Sequence, residues 1–516
     1  MLVNMQTKNI CLNKCQINDE VSSWIEQDII VPDTKPDAIK IVNVLVTPYV
    51  SNYEILQGKI KIIGKLNYFI IYKVNDDKYI NRGLFVSYPY TEVINVQNVD
   101  NSMDVRIIPK CKNVIFSLPN ERKMAIKTEI VFNVKATCKV DINLIKNFDE
   151  DSNIECKMCE KNFCNILQNK HSIIASKEEV MLPKDAEDFF EILSVEPKIC
   201  NTEYKESYNK IMVKGDISLK IVYLCEGEVE NVKNMNLDVP FSAMIELENI
   251  NDKSKFDIKY IIQDFNIKLN PEITTTKTFS IDYQIDTDVT MYEEESVEYV
   301  EDFYSKEKEL EYDVETVEAV SSNAIESKII EVKENITNIL PQNTRLIDYT
   351  LDTSYINANI NGATVELDGN AKLNLLLQDI ETNELSSKTV DILVNEKYDI
   401  DNLIGGFKAN IELDLDSINV TQSGNDIEAK MSIDILANIQ NVLDFNIIDK
   451  IEDEDLDFSN IDSINVYIVK PGDSLWKIAK KYKTSIEKIV KINDIVDPDK
   501  IDVGQKILII RWIYET

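Results

Sequence analysis

Histidine is nearly missing from this chain: His171 is the only one in 516 residues. It is the side chain that titrates near neutral pH, so Ser–His or Cys–His catalysis and an HExxH zinc site would all have to share it. Its setting, QNKHS, holds no nucleophile motif. Glycine is scarce as well, with 12 residues, and neither G-x4-G-K-[ST] nor G-x-G-x-x-G occurs, which argues against a phosphate-cradling loop. Positive charge is short: 56 Lys and Arg face 90 Asp and Glu, a net charge of −34, where a nucleic-acid binder needs a positive field to displace counterions. With so many acids, any glycosidase dyad drawn from them is arbitrary. No apolar run approaches the roughly 18 residues of a membrane helix, and even KILIIRWIY is broken by Arg511. The opening MLVNMQTKNICLNKCQINDE has no apolar leader core. Nine irregularly spaced cysteines read as the reduced thiols of an intracellular protein. Together these absences predict a cytoplasmic, non-enzymatic chain with no cofactor, no metal, no nucleic-acid partner and no membrane insertion.

One cysteine group needs weighing. Cys156-x2-Cys159-x4-Cys164 with His171 offers three thiolates and an imidazole, a tetrahedral zinc set in composition. The spacing fits no zinc module and no second Cys-x2-Cys pair accompanies it, so free thiols are the expectation. Cys11-x3-Cys15 is a weaker case still.

What the chain does have is alternation. Ile, Val, Tyr and Phe alternate with Lys, Asp, Glu and Asn in many short runs, the period of a half-buried strand. The pattern repeats. GKLNYFIIY from Gly64, GDISLKIVY from Gly215 and GNAKLNLLL from Gly369 each begin an alternating strand with glycine, 151 and 154 residues apart. Twenty-five residues later come Tyr88-Pro89-Tyr90 and Val239-Pro240-Phe241, then Leu393-Val394-Asn395 without the proline. Glycine in a strand marks a bulge or a close backbone approach, and proline an edge or strand start. The fold class expected is mainly β: three antiparallel, sandwich-like units followed by a small βααβ module. The expected divisions are an N-terminal segment (1–36), β units at 37–140, 186–290 and 329–448, and the module at 466–512. Between them lie a cysteine-bearing connector (141–185), an acidic connector, helical or extended (291–328), and an acidic linker (449–465). Residues 291–320 hold twelve acids against two lysines, the composition of a solvated spacer.

The tail differs from its carrier. From Tyr467 to Thr516 ten Lys and Arg outweigh seven acids, leaving −37 for residues 1–466 and favouring an acidic partner. YIVKPGDSLWKIAKKYKTSIEKIVKINDIVDPDKIDVGQKILII parses as strand, helix, helix, strand. Asp473 or Ser474 caps the first helix, whose stripe is Leu475, Ile478, Ala479 and Tyr482. Thr484 or Ser485 caps the second, with Ile486, Ile489 and Val490 inward, and Asn493 ends it.

YIVKPGDSLWKIAKKY, IVKINDI and DPDKIDVGQKILI resemble the LysM family along its whole length. That resemblance implies a βααβ fold and a shallow groove for N-acetylglucosamine-containing glycans, here Gly472, Asp473, Ser474 and Leu475 on one loop and Pro498, Lys500 and Ile501 on the other. Upstream, Ile30-Val31-Pro32-Asp33-Thr34-Lys35-Pro36-Asp37 followed by repeated β units resembles the SPOCS family of clostridial spore proteins. Repeated SPOCS units with one terminal LysM module imply a coat morphogenetic scaffold of the mother-cell cytosol, whose LysM module binds the coat ATPase SpoIVA. Two features of the residues favour a protein partner over peptidoglycan. A leaderless chain does not meet the wall, and alternation places Ile464, Val466 and Ile468 on an outward strip. Trp476, about 100° from the buried stripe, and Lys477 beside it complete the expected contact set. The rival expectations are a peptidoglycan- or cortex-binding protein using the two loops, and a wall hydrolase targeted by the module.

Overall fold

The architecture, taken from a computed structural model, is described for residues 5–76, 78–149, 153–184, 186–227, 231–269, 278–400, 407–455 and 464–510. Strand makes up 77% of it and both helices lie near the C-terminus, so the mainly β expectation holds. The alternation is the cause. Along Phe279–Met291 every odd residue is buried, from Phe279 and Ile281 through Thr287 to Met291, and none is more than 3% exposed.

The first unit contains β1 (Met5–Ile30), β2 (Lys40–Leu56), β3 (Lys59–Lys73), β4 (Asn81–Asn95), β5 (Asp104–Asn120) and β6 (Lys123–Phe148). β2-β3-β4 form one antiparallel sheet and β1-β6-β5 another, and a single core fills the space between them. The second unit repeats this with β7 (Ile154–Met181), β8 (Phe189–Ser207), β9 (Lys210–Cys225), β10 (Val232–Glu246), β11 (Lys255–Leu269) and β12 (Thr278–Ser305), in sheets β10-β9-β8 and β11-β12-β7. The third has β13 (Lys308–Ile336), β14 (Thr344–Asp352), β15 (Ile356–Asn361), β16 (Thr364–Asp379), β17 (Leu385–Asp399), β18 (Phe407–Ser423) and β19 (Asp426–Asp455). Its sheets are β13-β19-β18 and β14-β16-β15, with β17 on the far side of β16. The tail comprises β20 (Ile464–Ile468), α1 (Leu475–Tyr482), α2 (Ile486–Asn493) and β21 (Lys506–Ile510). Among the described residues no helix is long and apolar enough to cross a membrane.

The repeat motif has a steric basis. Gly64 and Gly215 sit on the central strands β3 and β9, paired with Tyr90 and Phe241, the residues just after the two prolines. A Cβ on Gly215 would lie 2.7 Å from the Phe241 ring, and one on Gly64 2.1 Å from the Tyr49 carbonyl oxygen and 2.6 Å from the Tyr90 hydroxyl that donates to it, so Gly215 makes room for a cross-strand aromatic and Gly64 for a backbone carbonyl as well. Pro89 and Pro240 lie on the edge strands β4 and β10, where no outer ladder bond is lost. In the third unit Gly369 (φ +153°) faces Val394, and the crowding atom is the Tyr355 carbonyl oxygen in the turn between β14 and β15.

Several stretches differ from their reading as connectors. Residues 5–30 of the supposed N-terminal segment are β1, paired to β6 along its whole length. Residues 154–181 of the first connector are β7, and 308–328 of the acidic one belong to β13, with no helix. Apolar residues interleave the acids of 291–305: Val297, Tyr299, Val300, Phe303 and Tyr304 are buried, while Glu294, Glu295 and Glu301 pair with Lys255, Lys8 and Lys157. Residues 449–455 of the acidic linker continue β19, and 456–463 lie outside the described residues. So do Arg511 and the last positions of the expected module.

The long first and last strands of each unit carry a bulge: between Cys15 and Ile17, at Met291 and Tyr292, and between Val320 and Ser322. Bulges bend a ladder, and these separate two cores in every unit. On one side lies the unit's own core. On the other the overhanging strand ends pack on one another, with Ile10, Leu12, Ile142 and Leu144 from the first unit, Phe163, Val297 and Tyr299 from the second, and Ala319 and Phe445 from the third. The opposite sheets meet in a second shared cluster that includes Val42, Leu193 and Leu376. Three units thus close around common apolar contacts at both ends.

Candidate functional site

The module folds as its caps and stripes dictate. Ser474 is the N-cap of α1 and accepts from the Lys477 N–H, and Ser485 does the same for α2 with Lys488. Leu475, Ile478, Ala479 and Ile489 are buried with Val469, Ile507 and Ile509, while Tyr482, Ile486 and Val490 pack around them. Asn493 does more than end α2. Its side chain donates to the Leu508 carbonyl at 2.7 Å and accepts from the Leu508 N–H at 2.7 Å, clamping β21 to the helix. Asn493→Ala strands both backbone groups, and should lower the module's stability by about 1–3 kcal/mol, read as faster amide exchange in β21.

The outward strip is where alternation put it. Ile464, Val466 and Ile468 are 65%, 56% and 54% exposed. β20 pairs with β21 in a register that sets Leu508 opposite Val466 and Ile510 opposite Ile464. Directly opposed residues share a face, so the half-buried Leu508 and Ile510 extend the strip into a five-residue apolar patch. The expected glycan loops are both at the surface. In the first, Asp473 accepts from the Tyr467 hydroxyl at 2.7 Å and the Lys470 N–H at 2.8 Å, and Gly472 takes φ +85°. Ser474 caps the helix yet stays exposed, Asp473 is half-buried and Leu475 is buried, which leaves Gly472 and Ser474 outermost. In the second, Lys500 pairs with Asp497 at 3.1 Å and Ile501 packs on the module core, while Pro498 is exposed.

Trp476 and Lys477 are not free. The Trp476 indole N–H donates to Asp302 at 2.6 Å, and its ring meets Tyr304 edge-on with centroids 5.1 Å apart. Lys477 folds back to donate to the Gly472 carbonyl at 2.8 Å. Around Asp302 the module docks on the body. Lys480 reaches Asp302 at 2.6 Å and the Tyr312 hydroxyl at 2.7 Å, Tyr304 donates to the Thr484 carbonyl at 2.5 Å, and Lys483 pairs with Glu309 at 3.0 Å. Tyr304, a residue of the second unit, is part of the module's core. Burial would raise the Asp302 carboxyl, but hydrogen bonds from Lys480, Tyr312 and Trp476 outweigh it and hold the group below the ordinary carboxylate range. Sequence reasoning missed this counter-surface. The only trace was charge: acids at 301–315 against Lys480 and Lys483 of an otherwise uncoupled tail.

The weighed zinc set does not assemble. Cys156, Cys159, Cys164 and His171 are strung along one strand, β7, facing Phe303, Tyr299, Glu294 and Asp288 on β12. At about 3.3 Å per residue the outer two are some 50 Å apart, beyond any single ion.

Three β units that share one strand order, plus a βααβ module, define a class: a repeat-built β protein carrying a binding module. Comparison with known families says which. Residues 467–509 match the LysM domain, and residues 37–118 and 188–270 match the SPOCS domain of SipL. The chain is thus SipL-like in its domain content, with two SPOCS domains and a C-terminal LysM domain. The SPOCS matches span β2–β5 and β8–β11, and leave the long first and last strands outside. Both families are non-catalytic. Among curated proteins the chain is 47% identical over 45 residues to SpoIVD-associated factor A of Bacillus subtilis, covering 8% of this chain and 12% of that one. It is 44% identical over 46 residues to a cortical fragment-lytic enzyme of the same organism, covering 9% and 11%. An uncharacterized protein of Deinococcus radiodurans is 31% identical over 129 residues, covering 21% and 49%. The chain therefore spans half or less of the relatives it matches. No solved structure matches it.

Proposed function

We propose that this chain is a non-enzymatic spore coat scaffold whose LysM module docks on a coat morphogenetic ATPase of the SpoIVA kind, in the mother-cell cytosol at the forespore surface. The observation that carries this reading is the exposed patch of Ile464, Val466, Ile468, Leu508 and Ile510. A module of some fifty residues gains nothing by leaving five apolar side chains on one open face unless a partner covers them. The SPOCS and LysM matches, and the likeness to a protein named for association with a sporulation factor, support a coat-related role. The β units supply reach and further coat contacts. Trp476 joins the interface only when the module leaves Asp302, whereas Lys477, bonded to the Gly472 carbonyl within the module, is exposed already.

Peptidoglycan is the second reading, favoured by the likeness to a cortical fragment-lytic enzyme and by the exposed residues Gly472, Ser474 and Pro498–Lys500 of the two loops. Full-length protein incubated with purified ATPase and, separately, with purified sacculi distinguishes the two. Co-purification with the ATPase and no pelleting with sacculi is expected. Strong pelleting with no ATPase capture would overturn the scaffold reading.

A further inference from the structure

The three β units meet one another through one repeated contact. Ile71, Val222 and Leu376 each stand seven residues after the repeat glycine of their unit, paired with Gly83, Asn234 and Ser387 on the edge strands β4, β10 and β17. Each of those edge residues touches another unit. A Cβ on Gly83 would lie 2.6 Å from the Ile192 carbonyl oxygen of the second unit, so glycine permits a close approach there. Asn234 donates to Asp348 of the third unit at 3.1 Å, and Ser387 donates to the Val42 carbonyl of the first at 2.8 Å. The receiving residues Ile192, Asp348 and Val42 lie 23, 21 and 22 positions before the repeat glycine of their own units.

A second contact runs in the same order. Asn67 of the first unit donates to the Phe265 carbonyl of the second at 2.6 Å, and Lys198 of the second to the Leu415 carbonyl of the third at 2.6 Å. Tyr355 of the third donates to the Lys112 carbonyl of the first at 2.8 Å. Each receiving carbonyl lies at or beside a bulge, on β11, β18 and β5, where the ladder is disrupted and backbone acceptors are freed. At the meeting point Ile71, Val222 and Leu376 share one buried cluster with Val42 and Leu193. First-to-second, second-to-third and third-to-first contacts are therefore alike. Head-to-tail surfaces repeated in this way close into a ring when the rotation returns to its start, and otherwise run on as a filament.

We propose that the third unit, which lies outside both SPOCS matches, is a third copy of the same domain, and that it docks back on the first to close a three-membered ring. The surface of the first unit around Val42 and Lys112 fits the Ser387 and Tyr355 face of a like unit, and the chain supplies that unit itself. A second copy of the chain finds neither the donor nor the acceptor surface free. The body is thus capped against end-to-end growth, and the junction that caps it has no covalent link behind it.

The test uses the full chain alone. A carbodiimide joins a lysine to a carboxylate it already touches, and every junction holds such a pair. Lys65–Asp264 reports first-to-second and Lys198–Asp414 second-to-third, while Lys73–Glu384 and Lys135–Glu412 report the closing contact. Equal amounts of isotopically light and heavy chain are mixed, incubated, cross-linked and read by mass spectrometry. All four links should form, each between peptides of one isotopic form. Ser387→Trp crowds the Val42 carbonyl, and should lower both closing links at least about fivefold relative to Lys65–Asp264 in the same molecule, with circular dichroism unchanged. The isotope readout of the parent stands whether or not that variant folds. Closing links that fail to form while the other two do would overturn the ring. Closing links of mixed isotope would overturn it as well, since the surfaces would then join copies of the chain.

Discussion

Val466→Glu should weaken capture of the partner ATPase about a hundredfold or more while leaving the chain folded. Val466 stands at the centre of the patch, opposite Leu508 and flanked by Ile464 and Ile468, and it is 56% exposed in the free protein. A glutamate there stays in water until a partner covers it, so the cost to folding is that of a surface substitution, within about 0.5 kcal/mol. Binding then buries a carboxylate among apolar groups with nothing to pair it. Such a group costs several kcal/mol, and about 2.8 kcal/mol already corresponds to a hundredfold. Surface plasmon resonance gives the affinity and thermal unfolding gives the control. Affinity within twofold of the parent, with Tm unchanged, would move the interface off this sheet.

Asp302→Ala should release the LysM module from the body. It removes the acceptor shared by Trp476, Lys480 and Tyr312, strands the indole N–H and leaves the ammonium only the Tyr312 hydroxyl. The pair is partly solvated, with side chains 28% and 36% exposed, so screening trims the effect well below that of a buried ion pair. About 1–3 kcal/mol is a fair expectation, a 5- to 150-fold shift toward the open form. Small-angle scattering would report a larger radius of gyration, and amide exchange in α1 would quicken. Trp476→Phe keeps the ring on Tyr304 and loses a single bond, so its shift should be smaller. The pH dependence follows from the depressed Asp302 carboxyl: the stabilisation is fully present above its unfolded value near 4 and is lost as pH falls through the lower native value. Lys480 is held above its ordinary value, by bonds to Asp302 and Tyr312 that prevail over burial, so its share is lost only in strong base. Docking is therefore constant from about pH 5 to 9 and weakens in acid. If the partner uses the β20–β21 face, Asp302→Ala leaves its affinity within about twofold. A gain would bring Trp476 back into the interface.

The sequence by itself determined more of this protein than its length suggests. Period-two alternation specifies strands whatever they pack on, and the Gly64–Pro89 and Gly215–Pro240 spacings record two copies of one sheet. The caps Ser474 and Ser485 and the stripe Leu475–Ile478–Ala479 are local, so the βααβ module and its outward strip were legible residue by residue. What alternation does not carry is length and partnership. Acid density hid the strands at 291–328, because a carboxylate on the solvent face of a strand reads like one in a linker. A hydrophobic–proline pair follows the long first strand of every unit, directly in the first two (Val31-Pro32, Leu182-Pro183) and four residues on in the third (Leu340-Pro341), and marks where those strands end.

The tertiary structure alone decided which groups meet across 168 to 178 residues at Asp302, and across 345 between Val42 and Ser387. Side-chain chemistry at those positions is ordinary. It is bulges in three long strand pairs that bend the units onto shared cores and bring an aspartate to a tryptophan, and the third unit to the first. Such bends depend on the summed packing of all three units, a quantity no local window contains.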